Sequence, residues 1–475
     1  MTNVRVASSA RPAGLPLILL AASFGFTIVQ LDVTIVNVAL DAIGREFGAP
    51  TASLQWVVDA YTLLLAALLL SAGALGDRFG PRRAFLAGLV LFAVSSAACG
   101  LAQSSLQLIL SRAIQGAAAA LLVPPSLALI THAAAGDDRA RAWAVGWWTA
   151  AGGVSIAAGP VIGGLLIGAF GWRWVFLVNL PLCLLGVALT LAFVPEVPPR
   201  EKRPLDLPGQ VLGFVALACL VGAVIEGGHR GWSDPLVLAA LIGGFAAVAA
   251  FLAVEMGSAH PAVPLEVFRA RMVWSAVVIG VAVNFTYYGV IFVLGLFLQR
   301  SAGYSVVQAG LAFLPLTATF IVSNLLSGGI AHRFGPARTM AGGVLVAAIG
   351  YALTSRLTPT TPFWLMVPGF VLIPGGMGTA VPAMTSALLA SVDRHFSGTA
   401  SGVLNACRQA SGAAGVAVMG ALAAGGPEAI AAGLRGSGLI AATVLVGAAW
   451  VAWRSERSPP LDQTARGRPV EGVDS

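Results

Sequence analysis

The sequence predicts an all-α polytopic membrane protein of fourteen spans: two six-helix bundles with two further transmembrane helices inserted between them. Three observations predict it. Of 475 residues, 57% are hydrophobic and only 10% are charged, where a soluble globular protein carries about 25% charged residues. Apolar runs long enough to cross a bilayer recur from one end to the other. Two stretches of the chain also repeat, at offsets of 255 and 256 residues. A soluble chain of this length would form about three domains, and too few polar residues are present to cover them. Collagen-like, disordered and nucleic-acid-binding classes are excluded for the same reason.

About 20 apolar residues cover the roughly 30 Å hydrocarbon core. Such runs lie at 14–40, 54–75, 84–103, 105–130, 142–168, 173–194, 207–225, 235–255, 272–298, 306–330, 337–355, 362–390, 397–424 and 431–453. The first could imitate a signal peptide, but Asp32 interrupts it and thirteen more follow, so it reads as an uncleaved helix. An even count places both termini on one side. With the N-terminus cytoplasmic, the 27 basic residues divide into nineteen inside, six outside and two within spans (Arg112 and Arg408). Positive residues concentrate on the cytoplasmic side of membrane proteins, so both termini are expected there. The net charge of +7 is then a topology signal, and the short loops suggest no nucleic-acid partner.

The expected organisation follows: a cytoplasmic N-terminus (1–13), a six-helix bundle (14–194), a cytoplasmic linker (195–206), two inserted helices (207–255), a second linker (256–271), a second six-helix bundle (272–453) and a disordered cytoplasmic tail (454–475).

Enzyme chemistry finds little support. The single lysine, Lys202, follows Glu201 rather than glycine, so the phosphate loop of an ATPase is missing. Neither a His-Glu-x-x-His zinc motif nor a Gly-x-Ser-x-Gly elbow is present. Cys99, Cys183, Cys219 and Cys407 lie far apart in apolar runs, without metal-ligand spacing. No cofactor or metal is expected.

The repeat is specific. Gly73-Ala-Leu-Gly-Asp77-Arg78-Phe79-Gly80-Pro81-Arg82-Arg83 recurs as Gly328-Gly-Ile-Ala-His332-Arg333-Phe334-Gly335-Pro336-Ala-Arg338. Residues 144–164 match 400–420 at eight of 21 positions. The loop after span 2 thereby maps onto the loop after span 10, eight helices later, which is six plus two. Repeated halves with a site at their interface are the plan of many secondary transporters.

At this point the chain resembles the major facilitator superfamily, specifically its fourteen-helix drug:proton antiporter branch. Four segments carry the resemblance: Leu31-Asp-Val-Thr-Ile-Val-Asn-Val-Ala-Leu40, the Gly-x-Leu-x-Asp-Arg-x-Gly loop at 73–80, Arg112-Ala-Ile-Gln-Gly116 and Gly159-Pro-Val-Ile-Gly-Gly164. Trp172-Arg-Trp-Val-Phe-Leu-Val-Asn179, opening span 6, resembles that branch too.

Charges inside a bilayer are costly and mark functional candidates. Asp32, Asp59, Arg112 and Arg408 stand within spans. At 1.5 Å per residue, the first three lie roughly 12, 8 and 10 Å from the outer ends of their spans. This layer suggests a proton site of Asp32, Asp59 and Arg112. Desolvation favours a protonated carboxyl and a nearby arginine favours the charged form, so moving Arg112 relative to Asp32 would switch it between holding and releasing a proton. A static Asp–Arg pair pinning helices is the alternative. Asp59 has alternatives of its own: solvation near the surface, or binding of a cationic substrate.

The loop of Gly73, Asp77, Arg78, Gly80, Arg82 and Arg83 suggests a conformational latch, with Asp77 facing a helix N-terminus in the other half. The second copy, with His332 and Arg333, should be weaker or pH-sensitive; topology alone is the plain alternative. In span 5, Gly159, Gly163 and Gly164 allow close helix approach and Pro160 kinks the helix. The resemblance links this motif to antiport. Polar and aromatic residues inside spans (Gln30, Asn37, Asn284, Tyr287, Tyr288, Asn324, Asn405, Arg408 and Gln409) are candidates for a substrate cavity. Arg408 has three readings: contact with an anionic part of a substrate, pairing with a carboxylate of the first half across the central cavity, or helix packing against backbone carbonyls.

The expected function is a proton-coupled secondary transporter, not an enzyme. It would export amphipathic or cationic small molecules from a bacterial cell by alternating access through the plasma membrane. Its partners are lipid, protons and a small-molecule substrate, and it is expected to be a monomer. A transporter of a specific metabolite, amino acid or siderophore is the alternative, and a membrane sensor on a transporter fold is the rival of another class.

Overall fold

The computed structural model describes residues 14–197, 207–257, 271–392 and 397–456. The segment 1–13 and most of 195–206, 256–271 and 454–475 lie outside them. The described residues form α1 (Leu15–Phe47), α2 (Thr51–Phe79), α3 (Pro81–Gly100), α4 (Ser105–Ala120), α5 (Val123–Ala133), α6 (Asp138–Phe170), α7 (Trp174–Leu177), α8 (Asn179–Phe193), α9 (Leu207–Arg230), α10 (Pro235–Gly257), α11 (Arg271–Leu296), α12 (Val306–Ala312), α13 (Leu314–Phe334), α14 (Pro336–Thr354), α15 (Phe363–Ala390), α16 (Ser397–Leu422) and α17 (Pro427–Glu456). A π-turn, Phe297–Ser301, continues α11.

Among the described residues, twelve helical stretches are long and apolar enough to cross a membrane. The count reaches thirteen when the two arms of α6 are taken as one bent span. At 26 residues α16 has the length, but Asn405, Arg408, Gln409 and many small residues dilute its hydropathy. Polarity is distributed inside out. Leu325, Ile242 and Leu184 are 73, 71 and 69% exposed, while Asp32, Arg112 and Gln115 are at most 1% exposed. An apolar exterior around buried charge suits lipid rather than water.

Helix breaks follow proline. The pair Pro124-Pro125 opens α5, and Pro315 opens α13. In α6 the arms Trp143–Ile156 and Ala158–Phe170 meet at 43°. Pro160 lacks the N–H that would bond the Ile156 carbonyl, so the bend falls where proline chemistry puts it.

Two boundaries differ from expectation. The predicted loop at 73–83 is mostly helix: Gly73, Asp77 and Arg78 lie in the last turns of α2, while Arg82 and Arg83 lie in the first turn of α3. One residue suffices for the turn, because Gly80 adopts φ 90°, ψ 135° and Pro81 is already shaped for a first helical position. The repeat copies this geometry at Gly335 (φ 83°, ψ 154°) and Pro336. A β-carbon in such a conformation costs about 1–3 kcal/mol. Gly80→Ala and Gly335→Ala should therefore each lower the apparent melting temperature of the purified protein; unchanged melting would refute the one-residue turn. The second difference is α1, which runs to Phe47 rather than residue 40 and so brings Asp41 inside a helix.

Packing arranges the helices in groups. In the first part of the chain α1 packs on α6, α2 on α4, and α3 on α4 and α8; later, α14 packs on α15 and α17, and α11 on α16. Contacts between the two parts run from α2 to α16, from α6 to α12 and α13, and from α1 to α11. Helices α9 and α10 pack together, and α9 lies against both α2 and α16. Hydrogen bonds tie α9 to α2 at both ends. Trp56 Nε1 donates to Glu226 at 3.2 Å, and the Ser71 hydroxyl donates to Gln210.

Candidate functional site

Five helices converge on Asp32. Its carboxylate accepts from Arg112 Nη1, from Gln115 Nε2 at 3.0 Å and from Asn179 Nδ2 at 2.9 Å. Arg112 is held in turn: Nε donates to the Val57 carbonyl at 3.0 Å, Nη1 to Gln115 Oε1 at 2.6 Å, and the guanidinium stacks 4.2 Å from the Tyr61 ring centroid. Ser96 closes the network, accepting from Gln115 and Asn179 at 2.6 and 3.0 Å. Helices α1, α2, α3, α4 and α8 thus meet around one ion pair with every carboxylate oxygen bonded. Sequence reasoning found Asp32 and Arg112 but missed Gln115, Ser96 and Asn179 as site residues. Gln115 and Asn179 stood inside quoted motifs, and that was the available signal.

Asp59 is the opposite case. It is fully buried, and both carboxylate oxygens lack a hydrogen-bond partner. Arg112 does not reach it. The expected trio is therefore split into a closed pair and a lone acid.

A second cluster lies at the end of the bundle that the arginine distribution assigns to the outside. Asp41, 3% exposed, accepts from Arg300 Nε and from Arg45 Nη2, both at 2.7 Å. Arg300 sits in the π-turn after α11, so this pair joins the two parts of the chain. Gly44 makes room for it: a β-carbon there would come within 2.5 Å of Arg300 Nη2. Nearby, Gln299 Nε2 donates to the Val38 carbonyl at 3.3 Å. Gln55 Nε2 donates to the carbonyls of Val416 and Ala417 at 3.1 and 2.9 Å. These cross-links join the two parts of the chain at this end. A cavity of about 320 Å³ remains beside them, lined by Thr51, Gln55, Ile225, His229 and Arg300. The expected spans missed Asp41 because span 1 was ended at residue 40, while α1 runs on to Phe47.

The span 5 motif packs α6 against helices of both parts of the chain. A β-carbon at Gly159 would strike Thr34 Oγ1 at 2.1 Å, and one at Gly163 would meet the Ile35 carbonyl at 2.9 Å. Gly164 instead faces Gly310 Cα at 2.9 Å. Two glycines thus seat α6 on α1 beside Asp32, and the third seats it on α12.

At the opposite end, Arg83 Nη2 pairs with Glu196 at 3.1 Å, and Arg82 Nη2 donates to the Leu191 carbonyl at 3.2 Å. Their partners belong to the end of α8 and the residues after it, in the same part of the chain. Asp77 and His332 make no side-chain hydrogen bond among the described residues. Arg78 and Arg333 each stack on the following ring, Phe79 and Phe334, at 5.6 and 5.4 Å.

Of the cavity candidates, the structure brings together Asn284, Tyr287, Tyr288 and Arg408. Arg408 Nε donates to Asn284 Oδ1 at 3.1 Å, and the two tyrosine rings meet edge to face at 5.5 Å. Gly412, one turn from Arg408, packs on Tyr288. Asn37 and Asn324 bond carbonyls of their own helices. Gln30, Asn405 and Gln409 are half-buried. All four cysteines are free, and no group of three or more possible metal ligands occurs among the described residues.

A helical membrane bundle with internally repeated turns and buried ion pairs is the build of a transporter. The chain belongs to the Major Facilitator Superfamily, whose sequence pattern matches residues 22–416. It is 36% identical over 409 residues to a methylenomycin A resistance protein of Streptomyces coelicolor, covering 86% of this chain and 85% of that one. A tetracenomycin C resistance and export protein of Streptomyces glaucescens is 35% identical (86% and 75% covered). The multidrug resistance protein Stp of Mycobacterium tuberculosis is also 35% identical (86% and 76% covered). Among solved structures, the xylose transporter XylE of E. coli, in a partially occluded inward-open conformation, superposes with a TM-score of 0.65 at 16% identity, covering 93 and 99% of the two chains. A POT family transporter reaches 0.69, also at 16% identity, covering 93 and 96%. These two share the fold.

Proposed function

We propose that the protein is a proton-driven exporter of amphipathic small molecules in a bacterial plasma membrane, acting as a monomer without a cofactor and with both termini cytoplasmic. In this reading α16 completes fourteen spans, and α9 and α10 are the pair inserted between two six-helix bundles. The resistance and export names of relatives matched over most of their length support export.

One observation carries the proton coupling: the contrast between two buried aspartates. Asp32 has donors for both oxygens, so its negative charge is compensated. Asp59 has none, and an unpartnered charge is far costlier to bury than a neutral acid. Asp59 is then the group that carries the exchanged proton, with Asp32 and Arg112 as the clamp that positions α2 against α1 and α4. Asp59 is one turn from Gln55, whose amide holds α16. Parting of α2 from α16 at the outer gate would open Asp59 to external water. Closure, as here, would carry the proton into the apolar interior for release to the cytoplasm when substrate enters.

Within this cycle the Gly73–Arg83 turn and its copy bearing His332 and Arg333 form a latch for the opposite state, and Gly159, Pro160, Gly163 and Gly164 transmit movement between α1 and α12. The test uses inverted membrane vesicles with an acid interior, challenged with lipophilic compounds. Some compound should release protons with wild type but not with Asp59→Asn. Gradient collapse that never depends on the protein would defeat the export reading.

The gate makes its own prediction. With spin labels at Gln103→Cys and Thr360→Cys, in a chain whose Cys219 and Cys407 are serine, wild type should give a single inter-label distance population. Asp41→Asn or Arg300→Gln should add a longer population. Unchanged distance distributions would show that the ion pair does not hold the outer end shut.

A further inference from the structure

Arg408 is a positive charge inside a membrane helix, and among the described residues it has no counter-charge. Among the described residues its one side-chain hydrogen bond runs from Nε to Asn284. No described carboxylate lies within ion-pair distance, so the first-half partner considered from the sequence is absent. The two terminal nitrogens carry no bond, and neither is sealed away as a buried orphan; the residue is half-buried. Its stem passes Gly280, where a β-carbon would meet Cγ at 3.0 Å, between Leu404 and Met384. The guanidinium therefore sits in the seam of α11 and α16 rather than against lipid.

The fork is also oriented. Asn284 is 4% exposed and fixes Nε, which leaves the two terminal N–H edges as the available donors. Tyr288 stands beside it, seated by Gly412. A planar pair of donors on a fixed guanidinium matches a carboxylate or a similar oxyanion. A charge kept in apolar surroundings without a partner calls for a ligand.

We propose that Arg408 is the receptor for an anionic oxygen group on the transported molecule, with Asn284 as its positioning residue and Tyr288 as the flanking aromatic surface. The proposal rests on the export reading and narrows it: of the amphipathic or cationic molecules and the anionic contact at Arg408 that the sequence left open, the substrates include acidic amphiphiles.

The test uses two dyes with one ring system, rhodamine B with its free carboxylate and the methyl ester of rhodamine B. Each is followed in proteoliposomes under an imposed pH gradient. Wild type should move the carboxylate dye. Arg408→Gln should slow that dye about tenfold or more, the factor expected for losing a charged hydrogen-bond partner, while moving the ester at the wild-type rate. Retained ester transport also demonstrates folding. Arg408→Lys should restore part of the carboxylate transport, and Asn284→Ala should raise the apparent KM for the carboxylate dye more than it lowers kcat.

Wild type moving the ester alone overturns this proposal and leaves export standing. Wild type moving neither dye overturns both. Equal slowing of the two dyes in Arg408→Gln overturns it as well, because a helix-packing arginine, or one that pairs with Asp59 at another stage, would act on both dyes alike.

Discussion

Asn in place of Asp59 is expected to abolish uphill export while leaving the protein folded and able to exchange substrate downhill. The carboxamide has nearly the shape of the acid but cannot take up or release a proton. Because neither oxygen of Asp59 has a partner, the substitution breaks no hydrogen bond, so folding should change little. The loss in transport has a calculable size. Each pH unit is worth about 1.36 kcal/mol per proton. A gradient of about two units therefore sustains about 100-fold accumulation for a one-proton exchange. Asp59→Asn should reduce that ratio to about one, read as accumulation in inverted vesicles, whereas exchange between equal substrate pools continues. A variant that still accumulates substrate would remove Asp59 from the proton path and return the role to Asp32.

This division between the aspartates was not legible in the sequence. Both are single acids in apolar helices at similar expected depth, and spacing along a helix cannot say which has donors around it. The partners of Asp32 come from two other helices, α4 and α8, 80 residues away at Arg112 and 147 at Asn179. Only tertiary packing brings them together. What the sequence did carry was local or periodic. Apolar runs placed the helices, Pro160 placed the bend of α6, and the repeated Gly-Pro pairs at 80–81 and 335–336 reappear as two turns of nearly the same dihedral angles.

Boundaries failed where helix and loop chemistry overlap. Gly73–Phe79 contains glycines and charges but remains helical, because a single residue of positive φ is enough to end α2. The Asp41–Arg300 pair escaped for a related reason. Asp41 and Arg300 are ordinary charged residues near span ends, and nothing local distinguishes them from solvated ones. Their 259-residue separation is crossed only when α1 meets the π-turn after α11. Arg408 was visible as an oddity, but its lack of a counter-charge is a property of the fold.

The second large effect concerns the closed pair. Asp32→Asn should strongly destabilise the protein, since removing one member of a buried ion pair leaves the other charge uncompensated, at a cost of about 3–5 kcal/mol. Arg112 would keep Val57 and Gln115 as partners but would have no negative charge within its enclosure. Replacing both, as Asp32→Asn with Arg112→Gln, removes the orphaned charge and should recover part of the loss. The double variant is therefore expected to outlast Asp32→Asn on heating in detergent, an ordering that independent contributions could not produce. Transport gives the complementary reading. If Asp32–Arg112 is a positioning clamp, the double variant regains stability and retains a measurable response to a pH gradient through Asp59. If Asp32 itself exchanges the proton, Asp32→Asn should be stable yet uncoupled, and the double variant no better than the single. Stability and coupling measured on the same three proteins thus separate a clamp from a carrier, because a clamp fails first by unfolding and a carrier by losing its proton.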